Sequence, residues 1–426
     1  MRFGTKSTRH PWITLLSENG NGKSTILQSI GLMLAGPENS SDLLSRPIGW
    51  LKSEHQAGKL SIRIHKDECD SGDYGIEKKR TAFGYSMHVT GTERVTIRNK
   101  VYSEPGFHES PDKILTWLRQ NAFSSGNSGW FGVGYGAFRR LTRSHQIIVP
   151  SLQPQARATN FITQFKEDEG LASFERWMIF LDYQKAKAND VNATRMLETG
   201  IGAINALLPE GVRFDSINNN GLIYFDVNGE KVPTIALSDG YRSVLALAGD
   251  LVWRLITTFP NSATPLHEPG VVLIDELDIH LHPSWQRQIA GWLRKQFPRL
   301  QFIVTTHSPF VAAGAGEDAV TYKLTLDDGV AAISMAQDLF AMSVDDVLKS
   351  DAFGMLSTYS PQTQDILDRY ELLHSLGKKR KTAEEKEFGQ LSLFVERHNP
   401  YSLELFPTEL ESRISDYVTN HVKNRD

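Results

Sequence analysis

The stretch LLSENGNGKST, residues 15–25, sets glycines, a lysine and two hydroxyls in the order that phosphate chemistry requires. Asn19-Gly20-Asn21-Gly22 can turn tightly enough for successive backbone N–H groups to point inward at phosphate oxygens. A helix starting near Ser24 adds the positive end of its dipole. Lys23 is placed to reach β- and γ-phosphates, and the Ser24 hydroxyl to ligate Mg²⁺, with Thr25 behind it. The usual GxxxxGK[ST] spacing opens with glycine, but Ser17 stands at that position here. The first position eases the turn out of a strand and need not touch phosphate, so serine is tolerated there unless φ must be positive. Taken alone, a Gly-Lys-Ser turn can arise by chance.

Three further stretches could act on a bound phosphate. VVLIDELD (271–278) reads as a short buried strand ending in Asp275-Glu276. One carboxylate can hold Mg²⁺ through water, and the next can orient a water for attack on a γ-phosphate. Strands ending in solvated acids are also common. ALSDGYRS (236–243) places Ser238, Asp239 and Gly240 at a helix start, where N–H groups and a hydroxyl can meet an anion. Seen alone it is a good N-cap. IVTTHSP (303–309) ends an apolar strand on His307, which could hydrogen-bond a γ-phosphate; a lone histidine there is more often structural.

The surrounding elements are the ones such groups need. PWITLL (11–16) reads as a strand, and 24–36 shows helical apolar spacing stopped by Gly36-Pro37. Residues 59–103 are β-rich, and 110–123 form a capped helix. Two helical runs fall within 160–210, and 212–233 read as strands with Asn-Gly turns. From 237 the order is helix, strand, amphipathic helix over 283–297, and strand, which implies a mostly parallel sheet. After residue 335 the chain turns charged and helical, so the expected division is 1–335 and a helical appendage, 336–426.

Composition sets bounds on function. The 426 residues are 40% hydrophobic and 23% charged, which is globular, and a net charge of −4 gives no general bias toward nucleic acid. Cys69 is the only cysteine, which excludes an intrachain disulfide and a multi-cysteine zinc site. With no signal-peptide core and no apolar run near the roughly 20 residues needed to span a bilayer, a cytoplasmic protein without a membrane role is expected.

In this order the four stretches resemble the Walker A loop, signature, Walker B strand and switch histidine of the ATP-binding cassette (ABC) ATPases. The combination is far more specific than any part. The resemblance implies an α/β head: a mostly parallel sheet carrying the P-loop, an antiparallel β subdomain (59–103) and a helical insertion (160–210). It also implies ATP and Mg²⁺ as cofactors and a head-to-tail dimer, with larger oligomers left open. ATP at Lys23 of one subunit would be closed over by Ser238 and Gly240 of the other, with Asp275 on the metal and Glu276 and His307 at the γ-phosphate. LSDGYRS and DELDIHLHP are similar to the soluble RecF- and SMC-like branch; His282 stands where transporters carry an aspartate. GYGAFRR (134–140) and residues 344–373 resemble the compact ATPases of Septu and retron anti-phage operons. In those systems a separate HNH nuclease is the partner, and the retron branch adds a reverse transcriptase and noncoding RNA.

Several features depart from that pattern or stay open. Trp12 and Arg9 are the candidates to stack on adenine, and none of Gln146, Gln153 and Gln155 is convincingly placed as the Q-loop ligand. Arg139, Arg140 and Arg143, and Lys378, Lys379, Arg380 and Lys381, form basic clusters that could meet nucleic acid, though solvated faces explain most such runs. Residues 399–418 suit a docking tail or packing onto the chain's own head. No nuclease constellation is present. The expected function is an ATP-driven regulatory subunit of a defence complex, with slow hydrolysis used as a switch. The alternative is a RecF-like repair or clamp ATPase acting directly on DNA; a transporter ATPase lacks its Q-loop and signature here.

Overall fold

The computed structural model describes residues 3–4, 9–44, 50–51, 57–67, 82–97, 100–109, 113–123, 129–137, 157–166, 173–188 and 190–398. Strand β1 (Trp12–Leu16) leads through the glycine loop into α1 (Lys23–Ala35), followed by a single turn, α2 (Ser40–Leu43). Next come β2 (Ala57–His65), β3 (Ala82–Ile97), β4 (Lys100–Glu109), α3 (Lys113–Asn121) and β5 (Phe131–Tyr135). The helices α4 (Arg157–Phe161), α5 (Ser173–Ala188) and α6 (Val191–Leu207) precede β6 (Val212–Ile217), β7 (Ile223–Val227) and β8 (Glu230–Pro233). The long helix α7 (Asp239–Thr258) leads to β9 (Gly270–Ile274), α8 (Pro283–Gln286), α9 (Ile289–Gln296) and β10 (Leu300–Thr305). Last are α10 (Pro309–Ala313), β11 (Val320–Asp327), β12 (Val330–Met335), α11 (Val344–Lys349), α12 (Pro361–Leu376) and α13 (Thr382–His398).

The central sheet has the order β12-β11-β1-β10-β9-β5, parallel throughout except for the β11–β12 hairpin. β1, β9 and β10 at its centre are largely apolar and buried because both faces are covered. Side-chain alternation divides them between two cores. Trp12, Val272, Ile274, Phe302 and Val304 join the core roofed by α5, α6 and α7, where Trp177 stacks on Trp253 at 5.6 Å. Ile13, Leu15, Leu273 and Ile303 join the core on the other face, with Leu27 and Leu32 of α1 and Phe83 and Tyr85 of β3. Two small antiparallel sheets, β2-β3-β4 and β6-β7-β8, complete the layers.

Parallel strands put all their carboxyl ends on one edge, which is where α/β sheets bind ligands. Here that edge collects the loop after β1, Asp275-Glu276 after β9, Thr306-His307 after β10 and the end of β5. β5 is an edge strand, and its outward carbonyls are capped: Asn160 donates to Gly132 O at 3.1 Å and Thr163 to Gly134 O at 3.0 Å. Capping leaves no open template for another strand.

Two expectations change. The amphipathic helix over 283–297 is broken into α8 and α9, where Gln288 N bonds Trp285 O, three residues back, and tightens the turn. The chain divides into units Met1–Gly354 and Met355–Asp426, not at 335/336. Ala336, Leu339, Val347 and Ala352 pack with Leu16 and Ala312, and the Lys323 ammonium donates to Asp351 O, so 336–354 stays with the first unit. In the second unit α12 and α13 form a hairpin: Tyr370 stacks on Phe388 at 5.2 Å, and Arg369 makes two bonds to Glu387. Arg380 of the expected basic cluster is committed there, 3.8 Å over the Phe388 ring and bonded to Glu385. Arg139, Arg140, Arg143 and 399–418 lie outside the described residues, and no described helix is long and apolar enough to cross a membrane.

Trp253→Ala would remove the ring stacked between α7 and α5. A loss of about 3–5 kcal/mol is expected, read as a clear fall in the melting temperature by circular dichroism.

Candidate functional site

The loop takes the backbone its glycines allow. Gly20 has φ of 83° and Gly22 of 88°, both in the left-handed region that other residues enter at a cost. Nothing lies within 4 Å of where a Cβ would stand on either, so backbone conformation rather than crowding is what calls for glycine there. Ser24 is half-buried and Thr25 exposed at the start of α1, and Asn19 and Asn21 flank Gly20.

Lys23 is 7% exposed, and its ammonium donates to Ser17 O at 2.9 Å, Ser17 Oγ at 3.1 Å and Glu18 O at 3.2 Å. Ser17, the departure from the usual spacing, therefore supplies two of the three oxygens that hold the lysine. Burial lowers the Lys23 pKa, opposed by the carboxylates of Glu276, Asp275 and Asp278. The loop and the acids after β9 thus face one another electrostatically.

The acids are fixed by β10. Buried Thr305 donates its hydroxyl to Asp275 Oδ1 and accepts the Glu276 amide at 2.7 Å. Asp275 N donates to Tyr135 O at 2.9 Å, and Leu277 N to Thr305 O at 3.0 Å. Glu276 has φ of 47° and His280 of 64°, so the turn after β9 is strained at two non-glycine positions. Such strain costs on the order of 1–3 kcal/mol, and here bonds on both sides hold it in place. Next along, Thr306 donates to Asp278 Oδ1, which also accepts His307 N at 3.3 Å; the His307 side chain is exposed. Gln286 donates to Asp278 O and Leu281 O and accepts from Ser308, locking this turn to the one carrying His307.

Ser238 is exposed at the N-cap of α7 and makes no side-chain capping bond; Asp239 is exposed beside it. A Cβ on Gly240 would stand 3.0 Å from His280 O, so only glycine lets α7 approach this turn so closely. Tyr241 meets Trp285 edge-on at 4.6 Å. Within one chain, Lys23, Asp275, Glu276 and the His307 turn gather at one sheet edge. Among the described residues no hydrogen bond joins Ser238, Asp239 or Gly240 to the loop.

Both adenine candidates are misplaced. Trp12 is fully buried in the core, its indole N–H on Thr14 Oγ1, and Arg9 spends its guanidinium on Arg299 O and Pro298 O at the opposite end of β1. Gln146, Gln153 and Gln155 lie outside the described residues. The sequence reading passed over Thr305, Thr306 and Gln286, which fix the acids. The only signal was the pair of threonines ending an apolar strand. A hydroxyl at Ser24 and a carboxylate at Asp275 are hard oxygen donors of the kind Mg²⁺ takes, with phosphate and water as the remaining ligands. Among the described residues no cluster of three or more His, Cys, Asp or Glu forms a metal cage.

Several known proteins are similar to this chain. Residues 102–313 match the family model described as "AAA domain, putative AbiEii toxin, Type IV TA system". The chain is 27% identical over 375 residues to the Septu protein PtuA of Bacillus mycoides (strain KBAB4), covering 87% of this chain and 44% of that protein. Along most of its length the chain is similar to PtuA. A second Septu PtuA, from Bacillus thuringiensis, is 27% identical over 407 residues, 90% of this chain and 88% of that protein. The Retron Vc95 probable ATPase of Vibrio cholerae serotype O1 biovar El Tor is 33% identical over 168 residues, 38% of this chain and 32% of that protein. The chain therefore spans less than half the length of the first and third of these relatives.

Thr305→Val would keep the strand's shape and remove the hydroxyl that meets Asp275 Oδ1 and the Glu276 amide. Removing these bonds costs about 1–3 kcal/mol, so phosphate release from ATP should fall about tenfold or more with little change in nucleotide affinity.

Proposed function

We propose that the chain is the ATP-switched regulatory subunit of an anti-phage defence complex and governs a separate HNH-type nuclease through nucleotide-dependent pairing of its heads. The observation that carries this reading is the division of the site. The lysine loop and acids are assembled within one chain, while exposed Ser238 lacks a capping bond and any bond to that loop. A second head in head-to-tail orientation would bring the Ser238–Gly240 helix start over the first head's phosphates.

In this reading the N–H groups of Asn19 to Gly22 and the Lys23 ammonium hold ATP phosphates, with Ser24 and Thr25 at the start of α1. Lys23 exchanges its bonds to Ser17 and Glu18 for phosphate oxygens. Mg²⁺ held by Ser24 and, through water, Asp275 would neutralise charge on the β- and γ-oxygens. Glu276 accepts a proton from the attacking water. Exposed His307, its backbone fixed by Asp278, contacts the γ-phosphate. The strained turn at Glu276 and the need for a second head both favour slow turnover, which suits a switch. PtuA and retron relatives support the defence setting. A nuclease partner, with reverse transcriptase and RNA in the retron case, is the assembly such a switch would control.

Glu276→Gln should bind ATP normally, lose phosphate release by about a hundredfold or more, and accumulate as an ATP-dependent dimer or larger species by light scattering. A variant that hydrolyses ATP at the wild-type rate would remove Glu276 from the chemistry.

A further inference from the structure

The α7 helix carries Ser238-Asp239-Gly240 at its start and a charged pair in its middle. Asp250 and Arg254 are 2% and 7% exposed, with Arg254 Nε 2.5 Å from Asp250 Oδ2. Burying an ion pair seldom stabilises a fold more than apolar residues of the same size would. What it does supply is direction, because each bond fixes one registry. Asp250 Oδ2 also accepts the Tyr135 hydroxyl at 2.9 Å. Arg254 donates on to Asn160 Oδ1 at 2.5 Å, and Asn160 donates to Gly132 O of β5. The helix is thus bonded to β5 at two places along the strand.

Tyr135 is the last residue of β5 and joins the turn carrying the acids to the body of α7. Its carbonyl accepts the amide of Asp275, while its hydroxyl reaches the middle of α7. Burial, then Asp250, raise its pKa well above the usual phenol range, so it remains a donor at all working pH. Burial alone would lower the Arg254 pKa, but Asp250 and Tyr135 outweigh it, and the guanidinium stays charged. A second fastening lies at the head of α7, where Gly240 closes on His280 O and Tyr241 on Trp285. The turn bearing Glu276 and His280 is therefore tied to α7 near its start at Gly240 and, through Tyr135, at Asp250, about 15 Å further along at 1.5 Å per residue. A helix held at two points cannot tilt without moving the strand end.

We propose that Tyr135 is a positioning residue that couples the start of α7 to the carboxylates of Asp275 and Glu276, so that engagement of one head's Ser238 by its partner's nucleotide is felt at that head's own acids. This rests on the function proposed above, in which the α7 start meets the partner's phosphates. It adds a path within each head that would make the two nucleotide sites of a dimer act together.

The test is Tyr135→Phe in the full chain, which keeps the ring and removes only the hydroxyl. ATP hydrolysis is followed against ATP concentration, alongside fluorescent-nucleotide binding and melting temperature, with Lys23→Ala as a control. Coupling predicts kcat lowered about tenfold, KM and nucleotide affinity within about twofold of wild type, and a Hill coefficient falling toward one. A purely structural hydroxyl would lower the melting temperature and leave kcat and the Hill coefficient unchanged, which overturns the proposal. Wild-type kinetics in Tyr135→Phe with Lys23→Ala inactive would remove the coupling alone. Wild-type turnover in Lys23→Ala would remove the underlying nucleotide reading. Asp250→Asn, which keeps the volume and weakens the acceptor, should reproduce the kcat loss; if it does not, the path does not run through Asp250.

Discussion

Burial of the central sheet on both faces is the constraint from which the rest follows. Strands β1, β9 and β10 are sealed between two apolar cores, so polar chemistry can appear only where the strands end. All of them end on the same edge because they are parallel. A lysine from one loop, two acids from a second and a histidine from a third are thereby brought together without any being close in sequence. The cost is that each strand end must be held by polar groups from its neighbours. Thr305 does this for Asp275 and Glu276, and Gln286 does it for the turn that follows.

The same constraint explains why the polar interior is so directional. Asp250, Arg254, Tyr135 and Asn160 form a connected path from the roof helix to the edge strand. A connected network in low dielectric resists small displacements better than apolar packing, which tolerates sliding. A head built this way can move as a block when its exposed helix start is engaged. That behaviour suits a protein in which nucleotide changes assembly and turnover is secondary.

Much of this was legible in the sequence, for reasons that can be stated residue by residue. The glycines at 20 and 22 signalled a tight loop, and the apolar runs before Ser17, Asp275 and Thr306 signalled buried parallel strands. Periodicity located α1, α5 and α6, which each lay an apolar face on a core, while α7 is buried on all sides from Ser243 to Thr257. What escaped depends on which way a side chain points. Trp12 read as a candidate for stacking on adenine, yet alternation along β1 turns it into the α7 core. Thr305 carries no local mark of its role, since nothing near it in sequence reveals that its hydroxyl meets two residues thirty positions away. The break at Gln288 and the unit boundary at Gly354 are likewise decided by tertiary contacts, against a local pattern that favoured one helix and an earlier division.

The central claim is that a working site takes Lys23 from one chain and Ser238 from another. Mixing two inactive variants tests it most directly. Lys23→Ala lacks the lysine, and Ser238→Arg blocks the helix start; each alone should release no phosphate from ATP. If sites form between heads, a mixture of the two contains dimers in which one composite site has both residues intact, and phosphate release should return as the chains are combined. A mixture as inactive as either variant, with both shown to be folded and to exchange subunits, would contradict the account.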